Sequence, residues 1–329
     1  MDEEASRPSV SVVVPVFNEA ENLEDLHAQV SAALEASGRS FELVLVDDGS
    51  SDGTREGLLA LAARDARVRP VLLRRNFGQT AAFSAGFDHS RGDVVVTSDG
   101  DLQNDPADIP ALVERLEAED LDMVCGWRRN RQDPLSKRVP SFFANRLISW
   151  ATGVKLHDYG CSLKAMRGDV ARGLRLYGEM HRFIPAVASW SGVTLAEVPV
   201  NHRPRIRGRS KYGIGRTSRV LLDLFTVKFL ASYGTRPAHL FGLLGLASGV
   251  SGLLLLGYLA GLKLFLDEAI GGRPLLLLGA LLFLTGVILV CFGLLGELLV
   301  RTWYESQGKA IYAVRERRPS SADGRRPPR

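Results

Sequence analysis

Two long segments near the carboxyl end of this 329-residue chain contain no charged side chain. One runs from Leu240 to Leu262 and the other from Pro274 to Gly296. Each is longer than the roughly 20 apolar residues with which a helix crosses the hydrocarbon core of a bilayer. Two such runs in close succession fit a pair of buried core helices poorly. The sequence therefore predicts a two-helix transmembrane hairpin over residues 239–300.

Basic residues on both sides of this hairpin predict its orientation. Residues 201–219 hold seven lysines and arginines and no acidic residue, and the tail from Arg301 holds eight basic residues against three acidic ones. The positive-inside rule then places both termini in the cytoplasm, with a short external loop between the helices. This arrangement predicts a multi-pass protein of the inner (cytoplasmic) membrane. Residues 301–329 are expected to form a basic cytoplasmic tail with a disordered end.

The net charge of +4 raises the question of a nucleic-acid partner. The positive charge is concentrated beside the apolar runs, so anionic membrane lipids are the favoured partner and no nucleic acid is expected. Residues 215–238 are predicted to be amphipathic juxtamembrane helices lying in the membrane interface. A second amphipathic stretch, residues 141–154, fits a core helix and an interfacial helix equally well.

Residues 1–214 alternate short apolar runs with helical segments, which predicts an α/β fold with a mostly parallel, Rossmann-like sheet. Asn18 is expected to cap the first helix, with Glu21 completing a capping box, and Asp105-Pro106 should open another helix. Functional side chains of such sheets lie at the carboxyl ends of the strands. The predicted strands are Val10–Pro15, Phe41–Val46, Val68–Leu73, Asp93–Ser98 and Met123–Gly126.

The fourth predicted strand ends in Asp99-Gly-Asp101-Leu-Gln103. Alternate side chains of an extended backbone share a face, so these two carboxylates and the amide can converge. They are oxygen ligands of the kind that hold Mg²⁺ or Mn²⁺ against a diphosphate. A solvated acidic turn is the alternative interpretation of the same residues.

A second acidic strand end, Asp47-Asp48-Gly49-Ser50, could accept hydrogen bonds from a nucleobase or from ribose hydroxyls. An ordinary strand-to-helix turn capped by Asp52 is the alternative. No Walker pattern is present, so the diphosphate needs a metal to neutralise it. Together these motifs predict transfer of a sugar from a nucleotide diphosphate. Cations beyond the fifth strand could assist departure of the diphosphate or could bind an acceptor phosphate. Those cations are Arg128, Arg129 and Arg138.

The successive motifs resemble those of family-2 inverting glycosyltransferases. They are Val-Pro15-Val-Phe17-Asn18-Glu19, Val46-Asp47-Asp48-Gly49-Ser50, Arg75-Asn76-x-Gly78-Gln79, Asp99-Gly-Asp101-Leu-Gln103, Asp158-Tyr-Gly-Cys-Ser-Leu-Lys164 and Arg207-Gly-Arg-Ser210-Lys211. With two C-terminal spans, the chain is similar to the polyprenyl-phosphate branch, which includes dolichol-phosphate mannose synthase, bactoprenol glucosyltransferase and undecaprenyl-phosphate aminoarabinose-type transferases. One departure is Gly100, where the mannose synthases usually have alanine.

The resemblance implies a GT-A catalytic domain over residues 1–214 and a role for each motif. Catalytic roles fall on Asp99, Asp101, Asp158 and Arg128. The nucleotide-sugar pocket is implied to contain Pro15, Phe17, Glu19, Asp47, Asp48, Ser50 and Asp99. Metal ligation falls on Asp101, Gln103 and Asp99. The lipid-phosphate-binding cations are implied to be Arg128, Arg138, Arg207 and Lys211, although charge beside a membrane alone also accounts for the last two.

An acid near the acceptor site, Asp158, could serve as a general base or as a positioning residue. A phosphate monoester is already largely ionised at neutral pH, since its second pKa is near 6. The acceptor oxygen then needs no base, and the positioning role is favoured.

The sequence thus predicts a metal-dependent inverting glycosyltransferase that moves a sugar, from UDP in preference to GDP, to a polyprenyl phosphate such as undecaprenyl phosphate. A separate flippase and a downstream transferase are expected partners, and a homo-oligomer is left open. Alternatives are a glycosyltransferase to a lipid hydroxyl or glycan acceptor, and a non-catalytic adaptor that binds nucleotide sugar or lipid.

Overall fold

A computed structural model describes residues 7–129, residues 145–204 apart from 147, 151, 177 and 179, positions 229 and 233, and residues 237–307 apart from 272 and 273. The chain divides into two compact units, with the division between residues 228 and 229. Of the predicted juxtamembrane helices over 215–238 only positions 229, 233, 237 and 238 are described, and the tail beyond 307 lies outside the described residues. The predicted domain boundaries at 214, 238 and 300 stay predictions.

The first unit contains one seven-stranded sheet with the strand order β3-β2-β1-β4-β6-β5-β7. Strand β6 runs antiparallel to β4 and β5, and the other pairs are parallel. The α/β, mostly parallel fold is therefore confirmed. The strands are β1 (Val10–Val16), β2 (Phe41–Asp47), β3 (Val68–Leu72), β4 (Val94–Thr97), β5 (Met123–Trp127), β6 (Lys164–Arg167) and β7 (Leu195–Pro199).

Helices cover both faces of this sheet and bury its apolar side chains in two clusters. The longer helices are α1 (Leu23–Ala36), α2 (Thr54–Arg64), α3 (Gln79–His89) and α4 (Ile109–Ala118). Shorter helical segments are Ala20–Asn22, Pro106–Asp108, Gly168–Gly173, Met180–Phe183 and Ile184–Ser189. One cluster packs α1, α2 and α4 onto the sheet. The other contains α3 and the segments after β6. Strands β1 and β2 are almost wholly buried, as expected of strands covered on both faces.

Two predictions about helix starts have different outcomes. Asp105 caps the segment that Pro106 begins, because its Oδ1 accepts the N–H of Ala107 at 3.0 Å. The prediction for Asn18 is wrong. Asn18 has a left-handed φ of 51°, and its Oδ1 accepts the N–H of Ser51 at 2.8 Å, in the loop after β2. A contact between two loops has replaced the local cap.

The second unit contains two long apolar helices, Pro237–Leu266 and Pro274–Gln307. Both contain stretches long and apolar enough to cross a membrane, Pro237–Leu266 and Pro274–Val300. Glycines let the two backbones approach closely. A Cβ on Gly252 would lie 2.4 Å from the backbone nitrogen of Phe283, and one on Gly286 would lie 2.5 Å from that of Gly249. Small residues at helix contacts are typical of membrane hairpins.

The order of strands in the sheet determines where a site can form. The chain runs outward from β1 to β2 and β3, then returns to place β4 on the other side of β1. The loops after β1 and β4 therefore begin side by side, and an open α/β sheet binds ligands in the crevice outside the carboxyl ends of its strands.

Candidate active site

The loops that follow β1 and β2 are bonded to each other at the carboxyl end of the sheet. The backbone N–H of Asn18 donates to Ser50 Oγ at 2.9 Å, and that of Glu19 donates to Thr54 Oγ1 at 2.9 Å. Asp52 accepts the N–H groups of Ala20 and Thr54. Asp52 thus joins two loops in addition to forming the turn that the sequence predicted.

Asp47 is fully buried at the end of β2. One of its carboxylate oxygens accepts the N–H of Ser50 at 2.9 Å, and the other accepts Nε of Arg55 at 3.1 Å. The same arginine donates to the carbonyl of Leu73. These contacts give Asp47 a part in holding the turn after β2 against the end of β3.

Asp48 is also buried, and it holds the loop that precedes α3. Its two oxygens accept the N–H groups of Phe77 at 2.7 Å and Gly78 at 2.9 Å. Burial raises the pKa of the Asp48 carboxyl, and the charge of Asp47 adds to this effect while the two N–H donors oppose it. Beside this loop, the guanidinium of Arg75 stacks at 4.6 Å from the ring centre of Phe77, which is half exposed.

The loop after β4 places Asp99, Asp101 and Gln103 in one tight turn. The N–H of Gln103 donates to Asp101 Oδ1 at 3.2 Å. Leu102 between them has a left-handed φ of 58°, which is costly for a branched side chain, yet its side chain is buried in the hydrophobic core. That burial anchors the strained turn.

Gly100, the departure from the family pattern, has a steric reason. A Cβ at this position would lie 2.9 Å from Cγ1 of Val16 and 3.4 Å from the carbonyl oxygen of Pro15. The loop after β4 therefore lies directly against the end of β1, close to the loop that carries Phe17 and Glu19. Pro15 itself pairs with Val46 in the parallel ladder.

The two carboxylates at the carboxyl end of β4 favour binding of a cation. Loss of hydration raises the pKa of the Asp99 carboxyl, and the neighbouring charge of Asp101 raises it further. Two carboxylates that repel each other are a donor set that a divalent ion would stabilise, and Mg²⁺ typically uses one or two carboxylates plus substrate phosphates. Within the described ranges, no group of three or more His, Cys, Asp or Glu residues is arranged to hold a metal unaided. The residues present fit a metal that the diphosphate helps to bind.

Two residues of the quoted motifs to which the sequence gave no role of their own, Gln79 and Lys164, act on Asp99. Gln79, the first residue of α3, donates from Nε2 to Asp99 Oδ1 at 2.8 Å. Thr80 bonds to Nδ1 of His181 at 2.7 Å, and burial lowers the pKa of His181 to about 3. Lys164 on β6 is buried, donates to the carbonyl of Cys161, and its charge opposes the upward shift of the Asp99 pKa. The signal for Lys164 was its place in the Asp158–Lys164 motif.

Arg128 and Asp158 form a buried bidentate salt bridge at the end of β5. Nε of Arg128 lies 2.7 Å from Asp158 Oδ2, and Nη2 lies 2.9 Å from Oδ1, with side-chain exposures of 13% and 4%. The carboxylate raises the pKa of the Arg128 guanidinium. Gly160 donates its N–H to Asp158 Oδ1 at 3.1 Å, and a Cβ there would lie 3.0 Å from Arg128 Nη2. Both oxygens of Asp158 are therefore engaged, which is the arrangement expected of a positioning residue.

Residues after β7 are bonded to the loop after β4. The N–H of Arg203 donates to the carbonyl of Gln103 at 2.8 Å, and its guanidinium lies 2.6 Å from Asp105. Asn201 donates to Asp108 from both its backbone and its side chain. The sequence counted Arg203 only as one of many basic residues. The predicted phosphate-binding cations Arg138, Arg207 and Lys211 lie outside the described residues.

Comparison with known proteins decides the family. A sequence profile described as "Glycosyl transferase family 2" matches residues 11–174. The chain is 47% identical over 314 residues to a dodecaprenyl-phosphate galacturonate synthase of Rhizobium johnstonii, covering 93% of this chain and 92% of that protein. The chain belongs to glycosyltransferase family 2.

This family-2 chain is also 42% identical over 307 residues to the undecaprenyl-phosphate 4-deoxy-4-formamido-L-arabinose transferase of Pseudomonas aeruginosa, covering 93% of this chain and 89% of that protein. Both relatives are polyprenyl-phosphate enzymes by name. The resemblance to the polyprenyl-phosphate branch of the family is thus confirmed, and so is its expected general reaction, transfer of a glycosyl group.

Solved structures of other glycosyltransferases share the fold. The glucosyl-3-phosphoglycerate synthase of Mycobacterium tuberculosis, in complex with Mn²⁺, UDP and phosphoglyceric acid, aligns with a TM-score of 0.54 over 68% of this chain and 80% of that chain. Its complex with Mg²⁺ and UDP aligns with a TM-score of 0.53. The identities of 23% and 22% make this a likeness of fold alone, and it confirms the GT-A architecture.

Proposed function

We propose that this family-2 enzyme transfers a glycosyl group from a nucleotide-diphosphate sugar, with UDP favoured, to a polyprenyl phosphate such as undecaprenyl phosphate, inverting C1. The observation that carries the proposal is that β4 and β5 lie on either side of β6 and pair with the same residue, Lys164, so that Asp99 and Asp101 after β4 and Arg128 after β5 lie at the same end of the sheet. A donor diphosphate and an acceptor phosphate need those two kinds of group side by side.

The donor half of the site is assigned to the loops after β1, β2 and β4. Phe17, Glu19, Ser50 and the two buried carboxylates Asp47 and Asp48 shape the nucleotide pocket, the carboxylates by fixing the surrounding loops. Asp99, Asp101 and Gln103 would hold Mg²⁺ or Mn²⁺ against the diphosphate. That ion supplies charge stabilisation for the departing nucleoside diphosphate.

The acceptor half is assigned to Arg128, with Arg138, Arg207 and Lys211 as further phosphate-binding cations. Asp158 accepts two N–H groups of Arg128. We assign the remaining N–H groups of the guanidinium to the acceptor phosphate. A polyprenyl phosphate is ionised at neutral pH, so its oxygen attacks C1 without a base. Alignment and fixed charge then supply the catalysis.

The membrane arrangement that supports this reaction keeps the site and both termini on the cytoplasmic side of the inner membrane. The apolar helices Pro237–Leu266 and Pro274–Gln307 would anchor the chain beside the lipid substrate. A flippase and a downstream transferase then act on the product. The two relatives name galacturonate and 4-deoxy-4-formamido-L-arabinose as their sugars, which makes donors of these sugars the first candidates.

The proposal is tested with the purified full-length protein in detergent. It is incubated with undecaprenyl phosphate, Mg²⁺ or Mn²⁺, and a panel of UDP- and GDP-sugars that includes both candidates, and lipid products are weighed by mass spectrometry. We expect one donor to give a lipid one sugar heavier. Undecaprenol without phosphate serves as the control acceptor. Product on undecaprenol would favour a hydroxyl acceptor, and no product with any donor would favour a binding protein.

A further inference from the structure

A mostly buried carboxylate on the outermost strand of the sheet, Glu197 on β7, lies next to the proposed acceptor site. Glu197 pairs with Cys125 in the parallel ladder between β7 and β5, and its side chain is 12% exposed. Arg115 on α4 donates to its backbone carbonyl at 2.8 Å, which holds the strand in place. The position of its carboxylate is thus set by the sheet and by a helix.

The Glu197 carboxylate binds the backbone of the segment that presents Asp158. The N–H of His157 donates to Oε1 and Oε2 at 2.9 and 3.0 Å, and the N–H of Asp158 donates to Oε1 at 3.3 Å. The ring Nδ1 of His157 donates to Oε2 at 2.7 Å, since a carboxylate only accepts. Three donors of one short segment therefore converge on a single side chain.

This segment in turn orients the guanidinium at the end of β5. Both oxygens of Asp158 accept N–H groups of Arg128. The ring of His157 stacks on Trp127, with ring centres 4.3 Å apart and an interplanar angle of 20°. Glu197 has no contact of its own with Arg128 among the contacts of the described residues. Its effect on the guanidinium passes through Asp158.

We propose that Glu197 is a positioning residue, which holds the 157–158 backbone so that Asp158 sets Arg128 for the acceptor phosphate. The inference rests on the proposed function, because that function gives Arg128 its phosphate. Replacing Glu197 by Gln keeps the shape but puts an NH₂ group where an oxygen accepted an N–H. Two donors then face each other, and the segment has to shift.

A matched control variant at the other end of the sheet, at Glu42, distinguishes a purely structural role of Glu197 from a positioning role. Glu42 on β2 is also buried and also accepts a backbone N–H, that of Arg91 at 2.6 Å, together with Ser11 Oγ at 2.6 Å. It sits at the amino end of β2, away from the carboxyl-end loops. Glu42→Gln should lower the thermal midpoint and leave kcat and both KM values unchanged.

The experiment compares Glu197→Gln, Glu42→Gln, Asp158→Asn and the double variant Glu197→Gln/Asp158→Asn in the full-length enzyme. We expect Glu197→Gln to lower kcat/KM for undecaprenyl phosphate by roughly 10- to 100-fold, the size of loss that misplacement by about 1 Å can cause. The KM for the nucleotide sugar should not change. The double variant should be no slower than Asp158→Asn alone, because residues that act through one another are not additive.

Hydrogen exchange gives a readout that does not depend on turnover. Peptides covering residues 157–160 should exchange faster in Glu197→Gln than in the native chain and in Glu42→Gln. The proposal would be overturned if Glu197→Gln exchanged at the native rate or had native kinetics. It would also be overturned if the loss of kcat/KM in the double variant equalled the product of the two single losses. If the native enzyme makes no lipid-linked sugar, the proposed function fails, while the exchange measurement still tests the link from Glu197 to Asp158.

Discussion

Gly49 and Arg75 approach so closely that no side chain fits between them. A Cβ at position 49 would lie 2.4 Å from the carbonyl carbon of Arg75, and the φ of Gly49 is +75°. The turn after β2 is thereby packed against the loop before α3, whose N–H groups bind Asp48. This contact supports the turn after β2, which belongs to the proposed nucleotide pocket, from the side of the loop before α3.

We therefore expect Gly49→Ala to raise the KM for the nucleotide sugar and to lower the free energy of unfolding. Gly53 in the same turn also has a positive φ, of +91°, but a Cβ there meets no described atom within 4 Å. Gly53→Ala should cost only the backbone strain, about 1–2 kcal/mol. Thermal unfolding and donor KM of the two variants measure the difference. Equal effects at both positions would show that the contact with Arg75 is unimportant.

Metal dependence is expected to centre on Asp101. Asp101→Asn removes one carboxylate from the proposed metal site, and turnover should fall by at least about 100-fold, the loss typical of a removed transition-state contact. Initial rates against Mn²⁺ and Mg²⁺ after treatment with chelator measure this. Asp120→Asn, at an exposed carboxylate that pairs with Arg167, is the control. Full turnover of the chelator-treated native enzyme would contradict the assignment.

Asp158 is expected to act on stability more than on proton transfer. Asp158→Asn leaves the buried Arg128 without its charge partner, and breaking such a pair typically costs about 3–5 kcal/mol. Turnover below the thermal midpoint should fall far less than the roughly 10⁴-fold that a general base can supply. The acid limb of the pH–rate profile should remain in the variant, since it reflects protonation of the acceptor phosphate near pH ~6. Disappearance of that limb together with a 10⁴-fold loss would identify a true base.

The apolar hairpin is expected to depend on its close backbone contact. Gly252→Leu places a side chain where a Cβ already lies 2.4 Å from the backbone of Phe283. Overpacking of this kind typically costs about 1–3 kcal/mol. Gly257 lies on the same helix, and a Cβ there meets no described atom within 4 Å, so Gly257→Leu is the control. The thermal midpoint of the full-length protein in detergent should fall only for Gly252→Leu.

The parts of the fold that sequence predicted are those that local pattern determines. Strands β1 to β5 are apolar runs followed by polar clusters, and each is found with ends within two residues of the prediction. The Asp99–Gln103 motif was identified because its residues are close together in the chain. Its assignment as a metal site rests on the chemistry of carboxylates and stays a prediction.

The parts that sequence missed depend on contacts between distant segments. Strand β6 is only four residues long and contains Lys164 and Arg167, so it has no apolar run to mark it. Its antiparallel place between β4 and β5 reflects pairing across more than 30 residues. Asn18 was misassigned for a similar reason, since its capping oxygen is used by Ser51 in another loop. Glu197 and Arg203 likewise gain their contacts from segments far away in the chain.

The interleaving of β6 also has a consequence for synthesis of the chain. Strands β1 to β4 find all their mutual neighbours by residue 97, whereas β5 is bordered only by β6 and β7, which are translated later. On the ribosome, the side of the crevice assigned to the nucleotide is thus expected to take shape first. The side assigned to the lipid phosphate is completed only once Lys211 has emerged, shortly before the first apolar helix is made.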